Sequence, residues 1–192
     1  MNILCYIYPE MADFELTLLL HRLHQQCCRV LAASEHLEPV TAQSGLRYLP
    51  DLTLRDAEQQ PLPDALLLPG GPIRPEQNAV CPLVQRMDDA GRLIGAICFA
   101  PQFLARAGVL AKHDYTTSCS AEKMAALGLR DFFPRDRMRH ARVVEDGHVI
   151  TAQGFAFVDF AEAVCLKLGV AQPPEVRAWF APVRGTGGNG IA

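Results

Sequence analysis

Three short apolar runs constrain this 192-residue chain more than any other feature of its sequence. Ile3 to Tyr8, Asp64 to Leu68 and Leu93 to Ile97 are almost uninterrupted by polar side chains. A strand with one wet face alternates polar and apolar residues. A strand apolar at consecutive positions is covered on both faces, as in a parallel sheet held between helices. Parallel neighbours need long crossovers, and helical patterns lie where crossovers are required. Leu16, Leu19, Leu20 and Leu23 recur at helical spacing behind Asp13, which is placed to cap that helix. Further helices are predicted from Leu83 to Ala90, from Phe99 to Ala107 and from Ala121 to Leu127, with Phe155 to Leu168 as the final long one. Arg29 to Ala33 reads as another strand and Tyr115 to Thr117 as a short one. Val40 to Tyr48 is expected to make a hairpin excursion around Ser44-Gly45, and Arg142 to Thr151 a hairpin across Glu145-Asp146-Gly147. The pattern predicts an α/β fold, a doubly wound and mostly parallel sheet sandwiched by helices. One domain is expected over residues 1–183. The Gly-rich stretch 184–192 has too little apolar content to pack and is expected to be a disordered tail.

Charge and cysteine usage narrow the function. A net charge of −3 without a Lys/Arg run gives no footprint for nucleic acid. No apolar run approaches the roughly 20 residues of a membrane span. Met1-Asn2 leads straight into the first strand and Pro9, which is too short for a signal peptide, so a cytoplasmic protein is expected. The seven cysteines are odd in number and include no C-x-x-C pair. No Cys/His set has zinc spacing, so neither a metal nor a cofactor is expected. All but Cys98 and, less securely, Cys119 read as buried small hydrophobes in a reducing compartment.

In an open α/β sheet, function gathers outside the carboxyl ends of the strands. There the third apolar run continues as Ala96-Ile97-Cys98-Phe99-Ala100-Pro101. A nucleophile on a sharp strand-to-helix turn brings the residues two before and two after it close together, so both must be small. Ala96 and Ala100 meet that requirement, and Pro101 suits a first helical turn. A thiol at a helix N-terminus is expected to have a lowered pKa. The backbone N–H groups of Phe99, Gly70 and Gly71 are candidate donors to an oxyanion. Glu15 shares the apolar face of Leu18 and Leu19 in the first helical turn, on the same sheet edge as Cys98. A carboxyl partly buried beside a thiol is expected to have a raised pKa and to hydrogen-bond the sulfur. The plainer alternatives are a small buried cysteine filling a tight turn and a first-turn glutamate serving the helix dipole.

Cys98 and Glu15, with Pro69-Gly70-Gly71 between them in sequence, make the chain resemble the DJ-1/PfpI (ThiJ) superfamily, of class I glutamine amidotransferase-like fold. The likeness runs to about Val170. It includes Tyr8-Pro9 with Glu15 six residues after the proline, Asp64 to Gly71, Ala96 to Pro101, Leu104 to Leu110, Thr116-Thr117-Ser118 and Ile150 to Gly154. The resemblance implies a flavodoxin-like sandwich, a homodimer, an easily oxidised nucleophilic cysteine and a protonated glutamate beside it. It implies a choice among proteases or amidases, glutathione-independent glyoxalases, isocyanide hydratases, chaperone-like proteins and stress sensors.

Two departures bear on that choice. Phe99 stands where proteolytic members carry His after the cysteine, and Ser118 stands where others carry His. The six histidines offer no obvious substitute, and without an imidazole an amide leaving group lacks its usual proton carrier. Peptidase or amidase activity is disfavoured. The expected activity is a glyoxalase or deglycase type on a small-molecule carbonyl, with Cys98 as nucleophile, Glu15 as acid/base and Ser118 lining the pocket. The alternative is an oxidation sensor or partner-binding protein in which Cys98 becomes a sulfinate held by Glu15. Ligand-sensing for transcription would need a helix-turn-helix segment that the sequence does not show.

Overall fold

The computed structural model describes residues 1–74 and 79–184. Of the predicted tail, all but Arg184 lies outside the described residues. The chain begins with β1 (Asn2–Tyr6), α1 (Phe14–Gln25), β2 (Arg29–Ser34), the short pair β3 (Val40–Thr41) and β4 (Arg47–Tyr48), and β5 (Leu52–Thr53) with α2 (Leu54–Gln59). It continues with β6 (Ala65–Leu68), α3 (Cys81–Asp89), β7 (Leu93–Ile97), α4 (Pro101–Arg106) and α5 (Ala121–Ala126). The hairpin β8 (Val143–Asp146) and β9 (Val149–Ala152) precedes α6 (Phe157–Leu168) and α7 (Pro173–Arg184).

Seven strands form one sheet in the order β5-β2-β1-β6-β7-β9-β8, and all pairs are parallel except β8 with β9. The three apolar runs are its centre. Every residue of β6 and β7 is buried, and each full side chain so covered contributes roughly 1.5–3 kcal/mol. α1, α6 and α7 pack together, as do α2, α3 and α4, so helices flank the sheet. Gly95 explains how closely α6 approaches it: a Cβ there would lie 2.9 Å from the Phe160 ring and 3.0 Å from Leu67. The chain moves outward from β1 to β2 and β5, then returns to β6 on the other side of β1. This reversal opens a crevice at the carboxyl ends of β1 and β6, beside the end of β7.

Several expectations need correction. Asp13 stands at the start of α1 but its side chain does not cap the helix. Its Oδ2 accepts instead from Ser44 Oγ at 2.5 Å and Tyr48 Oη at 2.7 Å, tying the β3–β4 excursion to the helix. Tyr115 to Thr117 makes only a single bridge, Tyr115 with Met138, rather than a strand. The Thr116 N–H donates to Thr151 Oγ1 at 2.9 Å, so a side chain takes the place of a ladder partner. Residues 52–59 form a strand and helix that no expectation covered, with a capping box between Thr53 and Asp56. Phe155 to Leu168 is not the last helix, because α7 follows. Arg184 closes α7 and pairs with Asp159 at 2.9 Å, rather than opening a tail. Cys27 is exposed in the turn after α1, whereas the other cysteines apart from Cys98 are buried.

Candidate active site at the Cys98 elbow

Cys98 sits one residue past β7 with φ 62°, in the left-handed region that a side chain with a Cβ rarely adopts. Such a conformation stores on the order of 1–3 kcal/mol and persists only where its surroundings hold it. Three hydrogen bonds do so. The Cys98 N–H donates to the Ala152 carbonyl at 2.8 Å. Its carbonyl accepts from the Ser118 N–H at 2.9 Å and from Thr117 Oγ1 at 2.7 Å. Ala96 and Ala100 on either side are fully buried.

The elbow leaves no room for larger neighbours. A Cβ on Gly70 would lie 2.6 Å from both Cys98 Cβ and Glu15 Oε2, and one on Gly154 would lie 2.9 Å from Cys98 Sγ. Glu15 is 2% exposed and its carboxyl stands next to the Cys98 sulfur: the same Cβ built on Gly154 would lie 3.0 Å from Glu15 Oε1. Burial pushes the Glu15 carboxyl up to about 7, against the opposing hydrogen bonds from the Gly70 N–H and Cys98. The Cys98 thiol is pushed up to about 12, first by burial and then by the charge and hydrogen bond of Glu15. Ser118 and the Phe99 N–H act in the opposite direction.

That result overturns the expected lowering by the helix terminus. α4 has only six residues and begins at Pro101, so its terminus does not offset the burial of the sulfur. The Cys98–Glu15 pair therefore passes from two protons to one near pH 7 and keeps that one proton above it.

Of the three proposed oxyanion donors, Gly70 is already committed: its N–H donates to Glu15 Oε2 at 2.7 Å. A buried carboxylate needs that donor, so Gly70 positions Glu15 rather than facing a substrate. The Phe99 N–H is directed at the Cys98 sulfur. Gly71 packs against Tyr8, where an added Cβ would lie 2.6 Å from the hydroxyl. Tyr8 in turn donates to the Pro69 carbonyl at 2.9 Å, clamping the turn to the end of β1.

Ser118 does more than line the pocket. Its hydroxyl opposes the rise of the Cys98 thiol, accepts from the Gly154 N–H at 2.9 Å and has Gln153 Oε1 at 3.1 Å as the acceptor for its single proton. Gln153, whose amide donates to Thr116 Oγ1 at 2.7 Å and the Thr117 carbonyl at 2.9 Å, was not singled out from sequence, nor was Gly154. Both close the stretch from Ile150 that also carries the family likeness, which was the available signal. His113 and His148 are remote: His148 neighbours the amino end of β7, roughly 15 Å of strand from Cys98. A cavity of about 730 Å³ is lined among others by Tyr6, Tyr8, Glu35, His36 and Arg74. Cys98 and Glu15 are not among its described lining residues.

The family model described as the DJ-1/PfpI family matches residues 1–167. The chain is 27% identical over 186 residues to the Uncharacterized protease YoaZ of Bacillus subtilis, covering 91% of this chain and 87% of that one. It is 32% identical over 130 residues to the glutathione-independent glyoxalase DJR-1.2 of Caenorhabditis elegans. That match covers 66% of this chain and 65% of the relative, just under two thirds of its length. The structure of a DJ-1 superfamily protein from Agrobacterium tumefaciens superposes with a TM-score of 0.79 at 28% identity, covering 96% of this chain and 100% of that one.

Proposed function

The chain belongs to the DJ-1/PfpI family, and from that premise we propose that it is a cysteine-dependent enzyme converting small reactive α-oxoaldehydes to hydroxy acids. The observation that carries this reading is the buried Glu15 carboxyl set next to the Cys98 sulfur at a left-handed elbow. Cys98 Sγ attacks the aldehyde carbon of a compound such as methylglyoxal, and the thiol proton passes through Glu15 to the carbonyl oxygen. The product is a hemithioacetal. Glu15 then removes the proton from the former aldehyde carbon and returns it to the neighbouring ketone carbon, while the hydroxyl proton passes from the first oxygen to the ketone oxygen, leaving a thioester of the 2-hydroxy acid. Water cleaves the thioester and restores the thiol, so the sum is aldehyde plus water to hydroxy acid. Ser118 and the Phe99 N–H steady the sulfur. This chemistry needs one acid/base and no leaving-group acid, consistent with Phe99 and Ser118 standing where an imidazole would serve a peptidase. The nematode relative's name, a glutathione-independent glyoxalase, supports the same reading.

Residues 1–183 act in this reading as one cytoplasmic domain of a homodimer. Support for a second copy comes from two exposed aromatic rings close in sequence to the site, Phe14 (53%) and Phe155 (65%). Sedimentation equilibrium is expected to give twice the chain mass. The test of the activity follows lactate itself, under reducing conditions. Wild type is expected to make many equivalents per subunit and Cys98→Ala none. Lactate stopping at one equivalent, with mild peroxide converting Cys98 selectively to the sulfinate, would establish the oxidation sensor instead.

A further inference from the structure

At the opposite end of β7 the fold gathers a second set of polar groups from three separate segments. Asp88 ends α3, His113 follows α4, and His148 lies in the turn between β8 and β9. Asp88 Oδ1 lies 2.8 Å from His148 Nε2 and 3.2 Å from His113 Nε2. One ligand atom from each of the three residues lies within 4.8 Å of the others. Asp88 is 4% exposed, His113 12% and His148 23%, so the cluster is recessed but open on the His148 side.

His113 has a donor problem. A neutral imidazole carries one N–H. Its Nε2 faces Asp88 Oδ1 at 3.2 Å, and its Nδ1 faces Asp146 Oδ2 at 3.5 Å. Whichever nitrogen holds the proton, the other turns a lone pair toward a carboxylate oxygen. Nδ1 is buried and makes no hydrogen bond. A divalent cation among Asp88 Oδ1 and the two Nε2 atoms removes the conflict. The proton then sits on Nδ1, oriented by Asp146 as an outer-shell carboxylate.

We propose that Asp88, His113 and His148 form a binding site for a divalent transition cation of the zinc type, independent of Cys98. Two imidazoles and one carboxylate are a common zinc set, with the fourth position left to water. Tetrahedral ligands at zinc distances stand on the order of 3.3 Å apart, and the three ligand atoms, all within 4.8 Å of one another, would settle to that spacing with Asp88 Oδ1 turning outward from its 2.8 Å contact with His148. Lys112 Nζ, 2.6 Å from Asp88 Oδ2 and 59% exposed, occupies the other carboxylate oxygen and is free to swing out. The ion would staple α3, the segment after α4 and the β8–β9 hairpin at one point.

The test uses the full chain with Cys27→Ser and Cys98→Ser, which removes the exposed thiol and the elbow thiol as competing ligands. Zinc chloride is titrated calorimetrically at neutral pH, and cobalt(II) absorption reports the ligand type. One equivalent of zinc is expected to bind, with a cobalt spectrum lacking thiolate charge transfer and a raised unfolding temperature. His113→Ala and His148→Ala are each expected to weaken binding more than about 100-fold, and Asp146→Asn about 10-fold. Should Asp88→Asn fail to fold, the two histidine variants carry the test, with their metal-free unfolding transitions as the control. No binding at one equivalent overturns the proposal. Binding that survives loss of both histidines overturns it equally.

Discussion

The two ends of β7 each bury a carboxylate, and the fold treats the two oppositely. Glu15, at the carboxyl end, has a backbone N–H and a thiol for company, and burial pushes its carboxyl up to about 7. Asp88, at the amino end, is opposed by burial as well, but Lys112, His148 and His113 outweigh it and hold its carboxyl below the usual range. Burial raises both carboxyls and the partners decide the sign. A carboxyl that gains and loses its proton near neutrality can shuttle protons, whereas one held ionised among imidazoles is a fixed charge that organises cations.

The largest expected effect tests the first half of that contrast. Glu15→Gln keeps an acceptor for the Gly70 N–H but cannot carry a proton, and is expected to slow lactate formation about 10²- to 10⁴-fold. The wild-type rate is expected to rise as pH increases through about 7, when the pair goes from two protons to one, and this limb should vanish in the variant. An unchanged rate in Glu15→Gln would remove Glu15 from the chemistry.

Stability should report the same carboxyl. Its folded pKa, about 7, lies above the ordinary glutamate value of 4.5, so between these values the folded state binds more protons and stability falls as pH rises. Glu15→Gln lacks this term. Relative to wild type it is expected to gain up to about 3 kcal/mol between pH 4.5 and 8, read from urea unfolding. A constant difference would mean that the carboxyl is not desolvated.

The smallest effect concerns Asp88 and has the opposite sign. Its folded pKa is depressed, so its contribution is present above the unfolded value and is lost as pH falls through the folded one. Asp88→Asn is therefore expected to be less stable than wild type at neutral pH, with the gap closing on acidification. A gap that widens on acidification would break the comparison between the two ends.

Much of the fold was legible because its signals are local. Consecutive apolar positions marked β1, β6 and β7, Asp146-Gly147 marked the β8–β9 hairpin, and small residues flanking Cys98 marked the elbow, where the structure places a left-handed backbone. Two readable signals were passed over. Thr53 with Asp56 is a capping box opening α2, and Val176, Trp179 and Phe180 recur at helical spacing behind the prolines that open α7. Both follow short or loop-like stretches where a weak pattern is easily taken for connection. Of the site, Cys98, Glu15 and Ser118 were legible, being tied to the elbow, the first helix and a short motif.

By itself the sequence determined which segments are buried strands, where the elbow must fall and which side chains crowd it, since each follows from periodicity or residue size within a few positions. Only the tertiary structure decided where the donors and charges go. Gly70 proved to serve Glu15, 55 residues earlier in the chain, rather than an oxyanion. The thiol of Cys98 proved raised rather than lowered, because burial by Glu15, Gly70 and Gly154 outweighs a six-residue helix. The meeting of Asp88 with His113 and His148 joins residues 25 and 60 positions apart, beyond the reach of any local spacing rule. Hydrogen bonding and desolvation act through space over a few ångströms, and neither has a period that a single sequence can display.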